Sequence, residues 1–261
     1  GLQEGGTPIE LPDGVLVLTA GVDTQDDRME YEVVGHGHFG QTWGIEKGIV
    51  MGRPDAPETW SKLDEVLFDR QFHFADGITL RLSLSFVDQG GHFSGEVRQE
   101  CHNRIGKKVF AIMGSTKHDA PYTDRPKKQK IMINGRYIGS CWMYEIGVDS
   151  GKQRIMDALR VEEPGPRYCH FPKRDDYGAS YFVGLLSERL VYDKDKRQPW
   201  QWKKIPGHER NEALDCRNYA MAAFQTIPKD LDAIDRRLQA SRGKAVKTAP
   251  APAPARRSRV K

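Results

Sequence analysis

The sequence predicts an α/β fold in which a mixed β-sheet is flanked by helices. Short apolar or alternating segments come first along the 261 residues, and the few residues between them favour an antiparallel meander. Helical and strand patterns then alternate, which favours a sheet covered by helices. Hydrophobic residues make up 38% of the chain and charged residues 29%, a composition typical of a polar globular protein.

The first half of the chain supplies the predicted sheet. In order, we predict strands at 15–22, 29–37 and 41–50, a helix at 57–70, a strand at 80–87, a helix at 95–105 and a strand at 109–113. This order matches an RNase H-like fold, in which acidic residues lie at the end of the first strand, at the end of the fourth strand and on a late helix.

The second half is predicted to be mainly helical. We predict a polar loop at 114–135, a strand at 144–148, a helix at 151–161 capped by Asp149 and Ser150, a helix at 178–189, a hairpin at 190–205 and helices at 209–225 and 229–238. The predicted organisation is an N-terminal arm at 1–14, one folded domain at 15–240 and a basic, Pro/Ala-rich disordered tail at 241–261.

Charge and cysteine content exclude several classes of protein. The tail at 241–261 carries +7, which leaves −3 for the rest of a chain whose net charge is +4. A mildly acidic body with a basic appendage is not a uniformly basic DNA-coating protein. The four cysteines form no C-x-x-C pair, so neither a zinc site nor a disulfide framework is expected. The sequence has no signal peptide pattern and no apolar run long enough to span a membrane.

Three aspartates are the candidate catalytic and metal-binding residues. Asp23 and Asp88 follow apolar strands, and Asp215 lies in a predicted helix with small alanine neighbours that permit close packing on the sheet. Taken singly, such aspartates are more often turn formers, helix caps or solvated residues. Together they would repel one another unless a divalent cation bound them, and oxygen ligands favour Mg²⁺ or Mn²⁺. Two such ions, about 3.5–4 Å apart, hydrolyse phosphodiesters in other enzymes.

Three further residues are auxiliary candidates for the same site. His92 follows a Gly-Gly break and is suited to orienting a water or contacting a phosphate, although a surface histidine is as good an interpretation. Lys152 is suited to neutralising phosphate charge or to simple solvation. Glu212 lies three residues before Asp215, so both occupy one face of a helix, where Glu212 would assist a second metal.

Two basic segments are candidates for contacts with DNA. Lys127, Lys128 and Lys130 lie in the predicted polar loop. The predicted hairpin interleaves aromatic and basic side chains, namely Trp200, Trp202, Lys203 and Lys204. For the hairpin, a structural role in which the tryptophans cover the core is equally compatible with the pattern.

Four segments resemble the nuclease half of lambda-type phage terminase large subunits. They are VLTAGVDTQDDRMEYEVVGHG, FVDQGGHFSGEVRQEC, YEIGVDSGKQRIMDALR and NEALDCRNYAMAA, and they occur in the family's order between about Val15 and Phe224. The resemblance implies that Asp23, Asp88 and Asp215 bind metal and that the chain cuts concatemeric double-stranded DNA. The resemblance therefore makes Asp215 as strong a candidate metal ligand as Asp23 and Asp88.

The resemblance also implies partners. These are the terminase small subunit, the portal protein and the ATPase domain of the same large subunit, all acting in the host cytoplasm. The sequence has no G-x-x-x-x-G-K-[ST] motif, so we expect the ATPase motor to lie outside this chain. Two alternatives stay open from the residues: another RNase H-like nuclease, such as a resolvase or transposase-like enzyme, and a non-catalytic DNA- or portal-binding module.

Overall fold

The computed structural model describes residues 8–115, 117, 120–196, 199–208, 210–227 and 230–248. The strands are β1 (Ile9–Glu10), β2 (Val17–Thr24), β3 (Arg28–His36), β4 (Thr42–Met51), β5 (Phe72–His73), β6 (Thr79–Leu80), β7 (Leu82–Asp88), β8 (Val109–Gly114), β9 (Lys127–Ile133), β10 (Arg136–Ile146), β11 (Cys169–His170), β12 (Glu188–Tyr192) and β13 (Trp200–Lys204). The α-helices are α1 (Pro57–Asp64), α2 (Ser94–Asn103), α3 (Val148–Leu159), α4 (Ala179–Leu185), α5 (Glu212–Thr226) and α6 (Leu231–Thr248).

The main sheet has eight strands in the order β11-β4-β3-β2-β7-β8-β10-β9. Strands β2, β3 and β4 form the predicted antiparallel meander, whereas β2, β7, β8 and β10 run parallel to one another. The predicted RNase H-like mixed sheet is therefore confirmed. Its meander is continued by the three parallel strands β7, β8 and β10, and helix α2 connects β7 to β8.

Helix α5 lies across the centre of one sheet face because β2 offers it a glycine there. A Cβ placed on Gly21 would lie 2.0 Å from the Cys216 carbonyl oxygen, so only a residue without a side chain permits this approach. Thr19 donates a hydrogen bond to the Ala220 carbonyl over 2.7 Å. The fully buried Arg217 guanidinium donates to Glu32 on β3 over 2.8 Å. These contacts fix the helix on β2 and β3.

The opposite sheet face is covered by α1 and α2 and holds the largest apolar cluster. Trp60 and Leu63 of α1 and Val97 of α2 pack there with residues of the central strands such as Ala20 and Val22. Each is almost fully buried, and burial of a large apolar side chain contributes roughly 1.5–3 kcal/mol. The apolar periodicity of 57–70 was thus correctly interpreted, although its last turn, Glu65–Asp69, is a π-helix.

The predicted loop at 114–135 is wrong in its second half. Strand β9 occupies Lys127–Ile133 and pairs antiparallel with β10, which begins at Arg136 rather than at the predicted residue 144. Strand β9 is a sheet edge, and its exposed positions are mostly lysines, while Ile131 is buried. Lysines on an edge strand discourage pairing with other chains, and they also hide the strand from apolar pattern recognition.

Several predicted helix ends also need correction. Helix α3 begins at Val148 with Gly147 as its N-cap, so the predicted capping by Asp149 and Ser150 is wrong. Both residues lie inside the first turn. Helix α4 ends at Leu185, before the predicted residue 189, because Glu188 already begins β12 of the hairpin. Helix α6 continues to Thr248, past its predicted end at 238.

The two predicted terminal segments contain some ordered structure. Strand β1 pairs with β5, and Leu11 is buried at 3% exposure, so part of the predicted arm packs on the body. Arg242, in the predicted tail, forms ion pairs with Asp13 and Asp76. Residues 249–261 of the tail and 1–7 of the arm lie outside the described residues. In the described part of the chain, no helix is apolar enough over its length to cross a membrane.

Candidate metal centre

Asp23 and Asp88 lie side by side at one end of the sheet. Strands β2 and β7 are parallel neighbours, and Val22 pairs with Val87, so the next residue of each strand is an aspartate. Both aspartates were predicted to follow their strands directly, but Asp88 is the last residue of β7, and Asp23 lies inside β2, which continues to Thr24. The Thr24 hydroxyl donates to the Asp88 carbonyl over 2.9 Å and ties the two strand ends together.

The two strand aspartates lie within electrostatic reach of Asp215. Burial raises the pKa of Asp23 to about 8, and the charges of Asp215, Asp88 and Glu212 add to that rise. A hydrogen bond of 2.6 Å from the Gln25 amide to the Asp23 carboxylate opposes it. Burial also raises the pKa of Asp88 to about 6; backbone N–H groups partly offset the rise, and Asp215 adds to it. Both carboxyls therefore resist ionisation in the folded chain.

Asp215 is held by two donors that also hold a fourth carboxylate. The Lys152 ammonium lies 3.2 Å from Asp215 Oδ1 and donates to Glu188 Oε1 over 2.8 Å. The Asn211 amide donates to Asp215 Oδ2 over 2.7 Å and to Glu188 Oε1 over 2.9 Å. Burial raises the pKa of Asp215, and Lys152 acts against that rise. Burial alone would lower the pKa of Lys152, but Asp215 and Glu188 raise it.

Glu212 is anchored by arginines on the same side of the sheet. Arg28 donates to Glu212 over 2.8 Å and to Glu30 over 2.7 Å. Arg210 lies between the same two glutamates. Glu212 is buried and raises the pKa of Asp23 through its charge, so it belongs to the electrostatic surroundings of the aspartates. The ion-pair partners of Glu212 in the structure are Arg28 and Arg210.

An open groove of about 530 Å³ gives access to the strand aspartates. It is lined by residues of the β2–β3 turn and by the segment after β7, including Asp23, Asp88 and His92. His92 is 83% exposed and shares a hydrogen bond of 2.9 Å with Asp26. A group in this groove reaches both aspartates from solvent, and His92 stands at its rim.

The donor set at this end of the sheet suits a hard divalent cation. Its three aspartates offer only oxygen ligands, and a cation would remove the repulsion that raises their pKa values. Among the described residues, no three His, Cys, Asp or Glu side chains lie in a metal-binding arrangement as they stand. Gln25 and Lys152 instead occupy oxygens of Asp23 and Asp215. The residues fit the cation by chemistry and charge.

The candidate DNA-contact residues lie on two ribbons. On the sheet edge, Lys128 of β9 pairs with Trp142 of β10, and Lys130 pairs with Ser140. Trp142 is half-exposed, and Lys128 and Lys130 are exposed. Lys127 forms an ion pair of 3.1 Å with Glu145. In the sheet, β10 of this β9–β10 ribbon is the third strand from β2. Trp142 faces the side of the sheet that α5 covers, because Tyr144 and Ile146, two and four residues further along β10, pack with residues of α5.

The second ribbon is the predicted hairpin, β12–β13. Trp200 is half-exposed and contacts Tyr192, whereas Trp202 lines a groove against Met156 and Leu159 of α3. Lys203 lies 3.9 Å from Asp193. Lys204 pairs with Glu188 in register and lowers the pKa of Asp215 through its charge. The base of this hairpin therefore lies against the aspartate site.

Sequence reasoning missed residues that only the fold brings to the site. Asn211, Glu188, Gln25 and Arg28 carried no pattern of their own. Lys152 was interpreted as solvated or phosphate-binding, and it is buried in an ion pair. The one available signal was N-E-A-L-D, in which Asn211 and Asp215 are four residues apart and therefore neighbours on a helix.

The sequence matches characterised phage proteins over most of its length. Residues 3–233 match the family described as terminase large subunit gpA, endonuclease domain. The terminase large subunit of Escherichia phage lambda is 32% identical over 223 residues, covering 82% of this chain and 33% of the lambda protein. That of Enterobacteria phage P21 is 31% identical over 225 residues, with the same two coverages. The chain spans about a third of the length of these curated relatives.

One solved structure of similar description also aligns with the chain. It is a mutant nuclease domain of the large terminase subunit gp2 of bacterial virus Sf6, with manganese. The TM-score is 0.43 and the identity 16%, over 85% of this chain and 92% of that one. At this similarity, residue roles do not transfer from one chain to the other.

Proposed function

The chain belongs to the endonuclease-domain family of the terminase large subunit gpA, and from that premise we propose that it is a Mg²⁺- or Mn²⁺-dependent endonuclease that hydrolyses phosphodiester bonds of concatemeric double-stranded DNA. The observation that carries the proposal is the pair Asp23 and Asp88 at one open end of the sheet, with Asp215 close enough to oppose the ionisation of both. A bound cation would relieve that cost.

In this proposal the three aspartates hold the metal, and neighbouring residues set their orientation. Two bound ions would supply a nucleophile at neutral pH and stabilise the charge that develops on the phosphate. Gln25 positions Asp23, and Asn211 with Lys152 positions Asp215. Arg28 and Arg210 hold Glu212 beside the site, from where its charge would favour a second cation. His92 at the groove rim would contact a phosphate or order a water.

The two ribbons are the proposed DNA-contact surfaces. The β9–β10 ribbon offers Lys128 and Lys130 on the face of the half-exposed Trp142, and Lys127, which pairs with Met143, on the opposite face. The hairpin offers Trp200, Trp202, Lys203 and Lys204. Of these, Trp202 lines the groove beside α3. Lysines neutralise backbone phosphates without reading sequence, so these surfaces would orient a duplex rather than select its bases.

The wider packaging role is proposed from family membership. The relatives are terminase large subunits, about three times as long as the matched region. We propose that this domain acts in the host cytoplasm with the ATPase domain of a large subunit, a small subunit and a portal protein. The basic segment at 241–261 is the candidate for docking to the portal or DNA.

The decisive experiment is Mn²⁺-dependent nicking of supercoiled plasmid DNA. Asp23→Asn, Asp88→Asn and Asp215→Asn should each lower the nicking rate at least about 100-fold, because each removes a charged ligand from the centre. The matched control is Asp195→Asn, an exposed aspartate in the hairpin turn, which should retain the wild-type rate. Calorimetric titration with Mn²⁺ should show binding to wild type and to the control, and loss of binding in the three variants.

Three outcomes would contradict the proposal. Full nicking activity in any of the three variants would remove that aspartate from the metal site. Absence of Mn²⁺ binding by the wild-type chain, with DNA binding retained, would instead favour a non-catalytic DNA-binding module. A marked preference for branched over linear duplex DNA would favour a resolvase-like enzyme.

A further inference from the structure

A buried polar network centred on Glu188 adjoins Asp215. Glu188 is the first residue of β12, is 8% exposed and accepts hydrogen bonds from both Lys152 and Asn211. The same two donors hold the two oxygens of Asp215. Four side chains from α3, β12, the residue before α5 and α5 itself thus form one closed ring of contacts.

We propose that Glu188 is a positioning residue that keeps Asp215 available for a divalent cation by sharing the Lys152 ammonium with it. The inference rests on the proposed function and adds a residue to it. Lys152 lies 2.8 Å from Glu188 and 3.2 Å from Asp215, so its shorter contact is with the residue that is not a proposed ligand. One ammonium shared between two carboxylates leaves net negative charge for a metal.

Charge balance explains why Glu188 has to be a carboxylate. Without it, the buried Lys152 would have Asp215 as its one carboxylate partner within salt-bridge distance, and the pair would approach neutrality. A neutralised Asp215 competes poorly for a cation. Groups that orient or tune metal ligands from behind typically contribute 10- to 100-fold in metal affinity.

The ring also connects the hairpin to the site. Glu188 pairs in register with Lys204, and the exposed turn of the hairpin lies at the other end of the same two strands. The base of the hairpin therefore places both Glu188 and Lys204 beside Asp215. This gives the base of the hairpin a role that is independent of whether Trp200 touches DNA.

The test is Mn²⁺ titration calorimetry on the full 261-residue chain. Glu188→Gln keeps the hydrogen-bond acceptor but removes the charge, and it should weaken Mn²⁺ binding about 10-fold. The double variant Lys152→Met/Glu188→Gln should recover most of the wild-type affinity, because it also removes the ammonium that would otherwise neutralise Asp215, while Asn211 still holds that carboxylate. The matched control is Glu145→Gln, which removes another lysine-paired carboxylate on β10 and should leave Mn²⁺ affinity unchanged.

Each outcome bears on the proposal. Unchanged affinity in Glu188→Gln would overturn it. Weak binding that the double variant does not restore would also overturn it, because Glu188 would then be a metal ligand itself. If Glu188→Gln is too unstable to titrate, comparison of the double variant with wild type remains informative, because the ring carries the same net charge in both. Loss of Mn²⁺ binding by Asp23→Asn, together with unchanged binding by Glu188→Gln, would leave the proposed nuclease standing and reject only the role of Glu188.

Discussion

At the scale of single residues, the burial of the Asp23 carboxylate lowers the stability of the metal-free protein. It is 5% exposed, and burial together with neighbouring carboxylates raises its pKa to about 8. The folded chain therefore favours the protonated form, and ionisation at neutral pH opposes folding. Strained or repulsive groups of this kind are retained at functional sites, where a ligand offsets them.

Asp23→Asn should therefore stabilise the metal-free protein at neutral pH. Asparagine keeps an acceptor for Gln25 but has no charge to bury, so the free energy of unfolding should rise by on the order of 2–4 kcal/mol. Thermal or urea unfolding in EDTA measures it. Asp195→Asn, on the exposed hairpin turn, should change stability by less than about 0.5 kcal/mol. A less stable Asp23→Asn would show that the charge of Asp23 is already compensated.

The stability that Asp23→Asn gains over wild type should increase as the pH rises. Because the pKa of Asp23 is raised in the folded state from 3.8 to about 8, its stabilising protonated form is fully present at pH values below about 3.8. That contribution is lost as pH rises through 8. The difference between Asp23→Asn and wild type should hence grow from pH 4 to pH 8 and level off above it. Urea unfolding across that range checks the slope.

At the scale of elements, the close contact between β2 and α5 sets the position of Asp215. Gly21→Ala should be strongly destabilising, because the new Cβ would lie 2.0 Å from the Cys216 carbonyl and 2.5 Å from the Ala220 nitrogen. Overpacking of this kind costs typically 1–3 kcal/mol, and displacement of α5 should abolish nicking as well. Gly139→Ala is the matched control in β10, where a Cβ meets nothing within 4 Å. Equal stability of the two variants would contradict the proposed packing constraint.

We predict separately that lysines of the β9–β10 ribbon contribute to DNA affinity. Replacing both Lys128 and Lys130 by Gln should weaken duplex binding and reduce the slope of log K against log salt by about 1.8, or about 0.9 per phosphate contact. Anisotropy titrations in EDTA at several salt concentrations measure this without cleavage. Lys62→Gln, on the exposed side of α1 across the sheet, should leave the slope unchanged. An unchanged slope in the double variant would remove the ribbon from the DNA path.

The elements that the sequence predicted are those with strong apolar periodicity. The strands that hold Asp23 and Asp88, and the helix that holds Asp215, follow from such patterns within a few residues. The β9–β10 ribbon did not, because an edge strand with outward lysines has too little apolar signal to distinguish it from a loop. The sequence pattern also could not identify the partner of Lys152. Glu188 is 36 residues away along the chain, and only the folding of the hairpin brings the two side chains together.

At the scale of the whole molecule, the site is assembled from both ends of the folded domain. Asp23 comes from the second strand and Asp215 from the fifth helix, and the sheet joins them only when β2, β7 and α5 have all formed. Under the proposed function, the free energy of metal binding would be available to the native state alone. It would therefore act as folding free energy for the entire domain.

The stability order of wild type and Asp23→Asn should thus reverse when Mn²⁺ is added. At a metal concentration 100 times the dissociation constant, binding should stabilise wild type by about 2.7 kcal/mol per site, and two sites would add accordingly. In a domain of this size, each kcal/mol shifts the melting temperature by roughly 2–4 °C. The melting temperature of Asp23→Asn should respond little to Mn²⁺, whereas that of Asp195→Asn should follow wild type. Parallel melting curves with EDTA and with Mn²⁺ measure both shifts. Equal Mn²⁺ stabilisation of wild type and Asp23→Asn would mean that the ion binds elsewhere on the domain.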